Sequence, residues 1–243
     1  MRLGLISDIH GNLYAFEAVL AELEVEEVDQ LICLGDVAVG PQGNECLARV
    51  RELGCPVVQG NWDGWFVNGM PTPKDAMDDR LIQIGAYWAD GLSDDELAFI
   101  RSFVPMLDLE LEGRTTLCFH GSPRSNEDQL LATTPDEEVA EMLAGHKADI
   151  LIGGHTHLHL LRRYERSLLV NAGSVGMPFT DWWTERVRIA PWAEYAVLTV
   201  GDGRVRADLR RTAYDVEAFL RLSLGSGMPY ASWWADSWLT ELR

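Results

Sequence analysis

Within the first 61 residues, three short apolar runs alternate with two amphipathic segments, and each apolar run gives way to residues able to bind a metal ion. Leu3–Ile6 is followed by Asp8 and His10, Leu31–Leu34 by Gly35-Asp36, and Pro56–Gln59 by Gly60-Asn61. The segments between them read as helices. Asn12 is an N-cap candidate ahead of a face made by Leu13, Phe16, Leu20 and Leu23, and a second helix starts near Pro41 and carries Cys46, Leu47, Val50 and Leu53. This β-α-β-α-β order implies parallel strands joined by helical crossovers, and so an α/β fold.

The rest of the chain adds to this frame. The middle is mostly helical, with Ser93 an N-cap candidate before the acidic turn Asp94-Asp95-Glu96. Leu107–Leu111 and Thr115–Phe119 flank Glu112-Gly113-Arg114 as a hairpin, and Thr134 and Pro135 read as N-cap and first residue of another helix. Asp149–Ile152, Leu160–Tyr164, Leu168–Val170, Tyr195–Val200 and Val205–Leu209 are further predicted strands, with a turn at Gly201-Asp202-Gly203. Residues after Tyr214 read as helical. No Pro/Gly/Ser linker marks a boundary, so residues 1–243 are expected to form one domain, with 211–243 a helical, Trp-rich extension.

A chain of 243 residues can bury a large core without disulfides or a structural metal. Cys33, Cys46, Cys55 and Cys118 show no C-x-x-C spacing and are expected to be reduced thiols. No start resembling a secretory leader and no apolar run long enough to span a membrane are found, so a cytoplasmic protein is expected. The formal net charge of −18 repels phosphate backbones and argues against general nucleic-acid binding.

Candidate ligands recur further along. His120 ends a strand of the predicted hairpin, and His155 and His157 follow Asp149–Ile152. Ligands in open α/β sheets bind beyond the carboxyl ends of strands, so five strand ends would deliver Asp8, His10, Asp36, Asn61, His120, His155 and His157 to one rim. A single Asp after a strand is usually a turn residue, and a single His usually a satisfied core or surface residue. Here five of the six histidines (10, 120, 155, 157 and 159) lie at such ends. Imidazoles, carboxylates and one amide oxygen suit Mn, Fe, Zn or Co better than Ca or Mg. Two divalent ions would outweigh the charge of Asp8 and Asp36, leaving a positive site suited to a phosphate ester. Such ions lower the pKa of bound water to about 7 in favourable cases.

D-I-H at 8–10, G-D at 35–36, G-N-W-D at 60–63, H-G at 120–121, G-H-T-H at 154–157 and N-A-G-S-V-G at 171–176 resemble the calcineurin-like metallophosphoesterase superfamily over roughly residues 1–210. The chain looks most like its small bacterial and archaeal members, phosphodiesterases or relatives of diadenosine tetraphosphatase. The resemblance implies a four-layer αββα sandwich of two mixed sheets flanked by helices. It also implies one ion on Asp8, His10, Asp36 and His157 and another on Asp36, Asn61, His120 and His155, with Asp36 bridging. The ions would be Mn or Fe first, with Zn, Co or Ni as alternatives. The implied reaction is in-line attack of a bridging hydroxide on a small phosphoester or nucleotide, most readily a phosphodiester. A phosphomonoesterase, a protein phosphatase, a dinucleoside polyphosphate hydrolase and a non-catalytic scaffold are the alternatives. The family often has His where this chain has Trp62, and an indole cannot act as a general acid. His159 is a candidate to replace it, against a plain structural role on an alternating strand.

Nine tryptophans complete the pattern. Trp62 and Trp65 neighbour the expected site as core residues or as platforms for a base. Trp182-Trp183, Trp192 and the tail residues Trp233, Trp234 and Trp238 read as core or interface anchors, the tail either docking on its own chain or favouring a homo-oligomer.

Overall fold

Leu3 and Leu5 point to one face of the first strand and Ile6 to the other, and all three are fully buried. A strand apolar on both faces must lie inside a layered structure. The computed structural model describes residues 1–180 and 187–239. In chain order the elements are β1 (Arg2–Ile6), α1 (Leu13–Val25), β2 (Gln30–Cys33), α2 (Gly43–Leu53), α3 (Asn61–Asn68), α4 (Ala76–Ala89) and α5 (Asp94–Arg101). They continue with β3 (Leu107–Leu111), β4 (Arg114–Cys118), α6 (Asp136–Leu143), β5 (Ile150–Gly153), β6 (His159–Tyr164) and β7 (Ser167–Ala172). The last are β8 (Ala193–Gly201), β9 (Arg204–Thr212), α7 (Val216–Gly225) and α8 (Ala231–Ala235).

Two mixed sheets result, with strand orders β2-β1-β8-β9 and β3-β4-β5-β7-β6. In the first, β1 is parallel to β2 and antiparallel to β8. In the second, β4, β5 and β7 run parallel while β3 and β6 are antiparallel edges. Leu3, Leu5, Ile32, Ala196 and Leu198 of one sheet meet Cys118, Ile150, Ile152 and Val170 of the other. The outer face of the first sheet packs Ile6, Tyr195 and Val197 on Phe16 and Val19 of α1 and Leu47 and Val50 of α2. The outer face of the second packs Leu117, Leu151 and Leu169 on Val139, Met142 and Leu143 of α6. This is the expected αββα sandwich.

Local chemistry accounts for the element ends. The Asn12 side chain accepts from Ala15 N at 3.0 Å and caps α1. Ser93 and Glu96 form a reciprocal capping box on α5. Two expectations change. Pro135, not Thr134, occupies the cap position and α6 starts at Asp136, because the Thr134 hydroxyl is engaged by Leu131 N at 2.9 Å. Pro56–Gln59 is extended but makes only isolated parallel bridges, Val57 with Cys33 and Val58 with Val104. Pro56 has no N–H to donate, and Gly60 already caps α3, so the segment is too short to become a full strand.

The described residues beyond β9 pack against the same chain. Trp234 and Trp238 are 6% and 4% exposed and pack on Phe219, Ile84 and Ile189. The tryptophan rings stand 4.3 Å apart, as a one-turn spacing predicts. α8 nevertheless ends at Ala235, and Trp238 is held by a parallel bridge to Ile189. These two rings therefore have an intramolecular partner. Trp182-Trp183 lie outside the described residues. No helix among the described residues is long and apolar enough to cross a membrane.

Candidate metal centre

The carboxyl ends of β1, β2, β4 and β5 open at one edge of the sandwich, where the loops that follow them are knitted together. Asp8 N donates to Gly35 O at 2.9 Å, His10 N to Asp36 O at 3.0 Å, and Gly154 N to His120 O at 2.8 Å. Eleven described non-glycine residues have positive φ, and five of them are Asp8, His10, Asp36, His155 and His157. A non-glycine residue in this region costs on the order of 1–3 kcal/mol and persists only where the surroundings over-determine it. Gly60 permits a close approach: a Cβ there would lie 2.0 Å from Asp36 Oδ1.

The ligand atoms converge with acceptors facing acceptors. His157 Nδ1 donates to Met177 O at 2.8 Å, and His120 Nδ1 donates to Leu34 O at 2.6 Å. A carbonyl only accepts, so in the neutral imidazoles Nε2 is left as a bare lone pair. His157 Nε2 lies 2.9 Å from His10 Nε2 and 3.2 Å from Asp8 Oδ1. His120 Nε2 lies 3.1 Å from Asn61 Oδ1 and 3.5 Å from Asp36 Oδ2. Asp8 Oδ2 accepts from the Ser7 hydroxyl and from His155 N, whereas Asp8 Oδ1 is buried with no hydrogen-bond partner. Lone pairs pressed together in a buried site need a cation between them.

The carboxylates draw positive charge to the same place, and without a metal ion a proton on His120 supplies part of it. Burial alone would raise the Asp8 carboxyl, yet His157 and His120 hold it well below the usual range. Burial would lower His120, but Asp36 and Asp8 push it up to about 9. His155 falls to about 4, through burial first and then through His120. The donor set thus fits divalent cations. Asp8, His10 and His157 bring ligand atoms within 4.8 Å of one another, as do Asp8, Asp36 and His120. Asp36 Oδ2 also spans the two groups, 3.9 Å from His10 Nε2 and 3.5 Å from His120 Nε2. The His155 ring lies 5.1 Å from that of His120. All seven expected residues stand on one rim.

His159 stands apart. It pairs with Ala172 across β6 and β7, lies 3.7 Å from the buried Glu194, and does not line the cavity above the rim. That cavity is about 220 Å³. Its floor is His10, Asp36, Asn61, His155 and His157, and its other side is apolar: Leu81, Ile84 and Trp88 of α4, with Met177, Phe179 and Trp234. Trp62 sits between the two sides, 4.7 Å edge-to-face from Trp65, so close to α4 that a Cβ on Gly85 would touch its ring at 2.1 Å.

Sequence reasoning passed over Asp63. Fully buried, it accepts from Asp36 N at 2.7 Å, Gly60 N at 2.9 Å and Val37 N at 3.2 Å, tying two ligand loops together. Burial and then Asp36 push its carboxyl up to about 7 against those three donors. Its place as third residue of a helix behind a glycine signals a cap; the second loop it serves has no local signal.

Comparison with known proteins places this geometry. A metallophosphoesterase from Sphaerobacter thermophilus superposes with a TM-score of 0.76 at 23% identity, covering 98% of both chains. A hypothetical protein from Pyrococcus horikoshii OT3 superposes at 0.77 with 18% identity, covering 94% of both. An uncharacterized protein from Methanocaldococcus jannaschii is 28% identical over 179 residues, 71% of this chain and 69% of its own. The profile of the calcineurin-like phosphoesterase superfamily domain matches residues 1–202, a span that includes every residue of the rim, and the chain belongs to that superfamily.

Proposed function

We propose that the protein is a dinuclear metal-dependent phosphoesterase that acts chiefly on phosphodiesters. The observation that carries this reading is the buried, partnerless Asp8 Oδ1 facing the bare Nε2 of His157, with His10 Nε2 beside both. Asp8, His10, Asp36 and His157 would hold one ion, and Asp36, Asn61, His120 and His155 the other. Two such ions supply Lewis acidity toward the ester and a nucleophile from water at neutral pH.

The chain's own residues position and exclude. Leu34 O and Met177 O fix the two imidazole tautomers, and Asp63 holds the Asp36 loop at its register. Such orienting partners are typically worth about 10–100-fold in metal affinity or activity. Trp62 at the rim cannot donate a proton to the departing oxygen, so the leaving group would carry its own acidity. That favours activated esters. Neither Lys nor Arg is among the described residues lining the cavity, so the ions would carry the positive charge that meets the phosphate. The test is hydrolysis of bis(p-nitrophenyl) phosphate and p-nitrophenyl phosphate by Mn²⁺-loaded protein. The diester is expected to turn over faster; no turnover of either, with ions bound, would support the scaffold reading.

A further inference from the structure

The matched domain ends at residue 202, yet Trp234, from the tail beyond it, stands in the wall of the cavity over the metal rim. It is placed there firmly, ringed by Trp238 at 4.3 Å and Phe219 at 5.7 Å, with the following segment bridged to Ile189. Opposite it, α4 contributes Leu81 and Ile84. The cavity is therefore two-sided, with ligand atoms on one side and an aromatic-aliphatic wall on the other.

We propose that this wall binds an uncharged apolar ester group of the substrate, a single aryl ring or an alkyl group of similar bulk, and that α4 and the tail set the specificity. This rests on the phosphoesterase reading above. An apolar wall gains from covering apolar surface and loses from desolvating a sugar hydroxyl or a second phosphate. The volume suits such a group. An apolar cavity of about 150 Å³ holds benzene, so about 220 Å³ accommodates one ring beside a phosphate.

The test uses the full-length, metal-loaded protein, with metal content and circular dichroism checked for each variant. Phenylphosphonate and methylphosphonate are titrated calorimetrically, and kcat/KM is measured for the phenyl and methyl diesters of p-nitrophenyl phosphate, which share a leaving group. Phenylphosphonate should bind roughly tenfold or more tightly than methylphosphonate, and the phenyl diester should be favoured by roughly 10–100-fold. Trp234→Ala should shrink both ratios, but it also opens the tail's core. Leu81→Asn, at a half-buried position, should reduce both by roughly tenfold with the fold intact. Leu224→Ala, 52% exposed on α7, should leave them unchanged. Equal binding of the two phosphonates, no binding of either, or ratios unmoved by Leu81→Asn would overturn the proposal. Preferential binding of phenylphosphonate without turnover of either diester would leave the pocket standing and remove the hydrolytic reading instead.

Discussion

The floor of the cavity and its wall are built by different forces. On the floor, Asp8, His10, Asp36, His155 and His157 sit in left-handed backbone, locked by short directional bonds between loops. On the wall, Trp234, Ile84 and Trp88 are held by non-directional packing against Trp238, Phe219 and Ile189. Directional bonds fix atoms to within tenths of an ångström and fail when one partner is lost. Packing tolerates volume-conserving exchange and fails gradually. A small change on the floor should therefore abolish function, whereas the wall should tune it.

The largest effect sharpens that contrast. Asp36→Asn keeps the shape and removes the charge reaching both imidazole groups. Hydrolysis should fall on the order of 10³-fold or more, the loss expected when several kcal/mol of metal-borne stabilisation disappear. Steady-state kinetics would check this, and a loss under tenfold would mean that the floor is not what acts on the ester.

Asp63→Ala comes next and separates positioning from ligation. It orphans three buried N–H groups without touching a ligand atom. Each orphan costs about 1–3 kcal/mol, so melting should drop sharply and activity in the surviving folded fraction should fall about 10–100-fold. Unchanged melting would show that the loops hold without it.

Trp62→His probes the boundary between floor and wall. The native protein should show a steep dependence of rate on leaving-group pKa, because no acid assists departure. The histidine variant should flatten that dependence and improve alkyl esters. A shallow dependence in the native chain would mean that another acid reaches the departing oxygen.

Truncation after Gly225 tests the wall as a whole and should spare the floor. Removing the buried Trp234 and Trp238 should lower the melting temperature, each large-to-small loss being worth about 3–5 kcal/mol, while bound metal is retained. A smaller assembly by light scattering would instead show that the tail joins subunits.

The same contrast explains what the sequence reveals. Each candidate ligand follows a strand or its short extended equivalent, so its placement is written locally, in apolar runs that end close to it, several of them at a glycine. Even Pro56–Gln59, which fails to become a full strand, still delivers Asn61 to the start of α3. The wall has no such local signature. Ile84 and Trp234 lie 150 positions apart, and only tertiary packing brings them together. Helical spacing anticipates that the rings of Trp234 and Trp238 meet, but not the bridge to Ile189 that holds the second one. Asp63 is hidden for the same reason: its cap on α3 is local, its grip on the Asp36 loop is not.

The central claim is that two divalent ions bind here and that Asp36 joins them. Plasma emission after reconstitution with Mn²⁺ and removal of free metal tests it most directly. The native chain should hold about two equivalents, Asp8→Asn about one and Asp36→Asn close to none, because only the bridging carboxylate serves both sites. Two equivalents retained by Asp36→Asn, with Asp8→Asn losing both, would assign the bridge to Asp8, and a native chain that takes up no metal would contradict the account altogether.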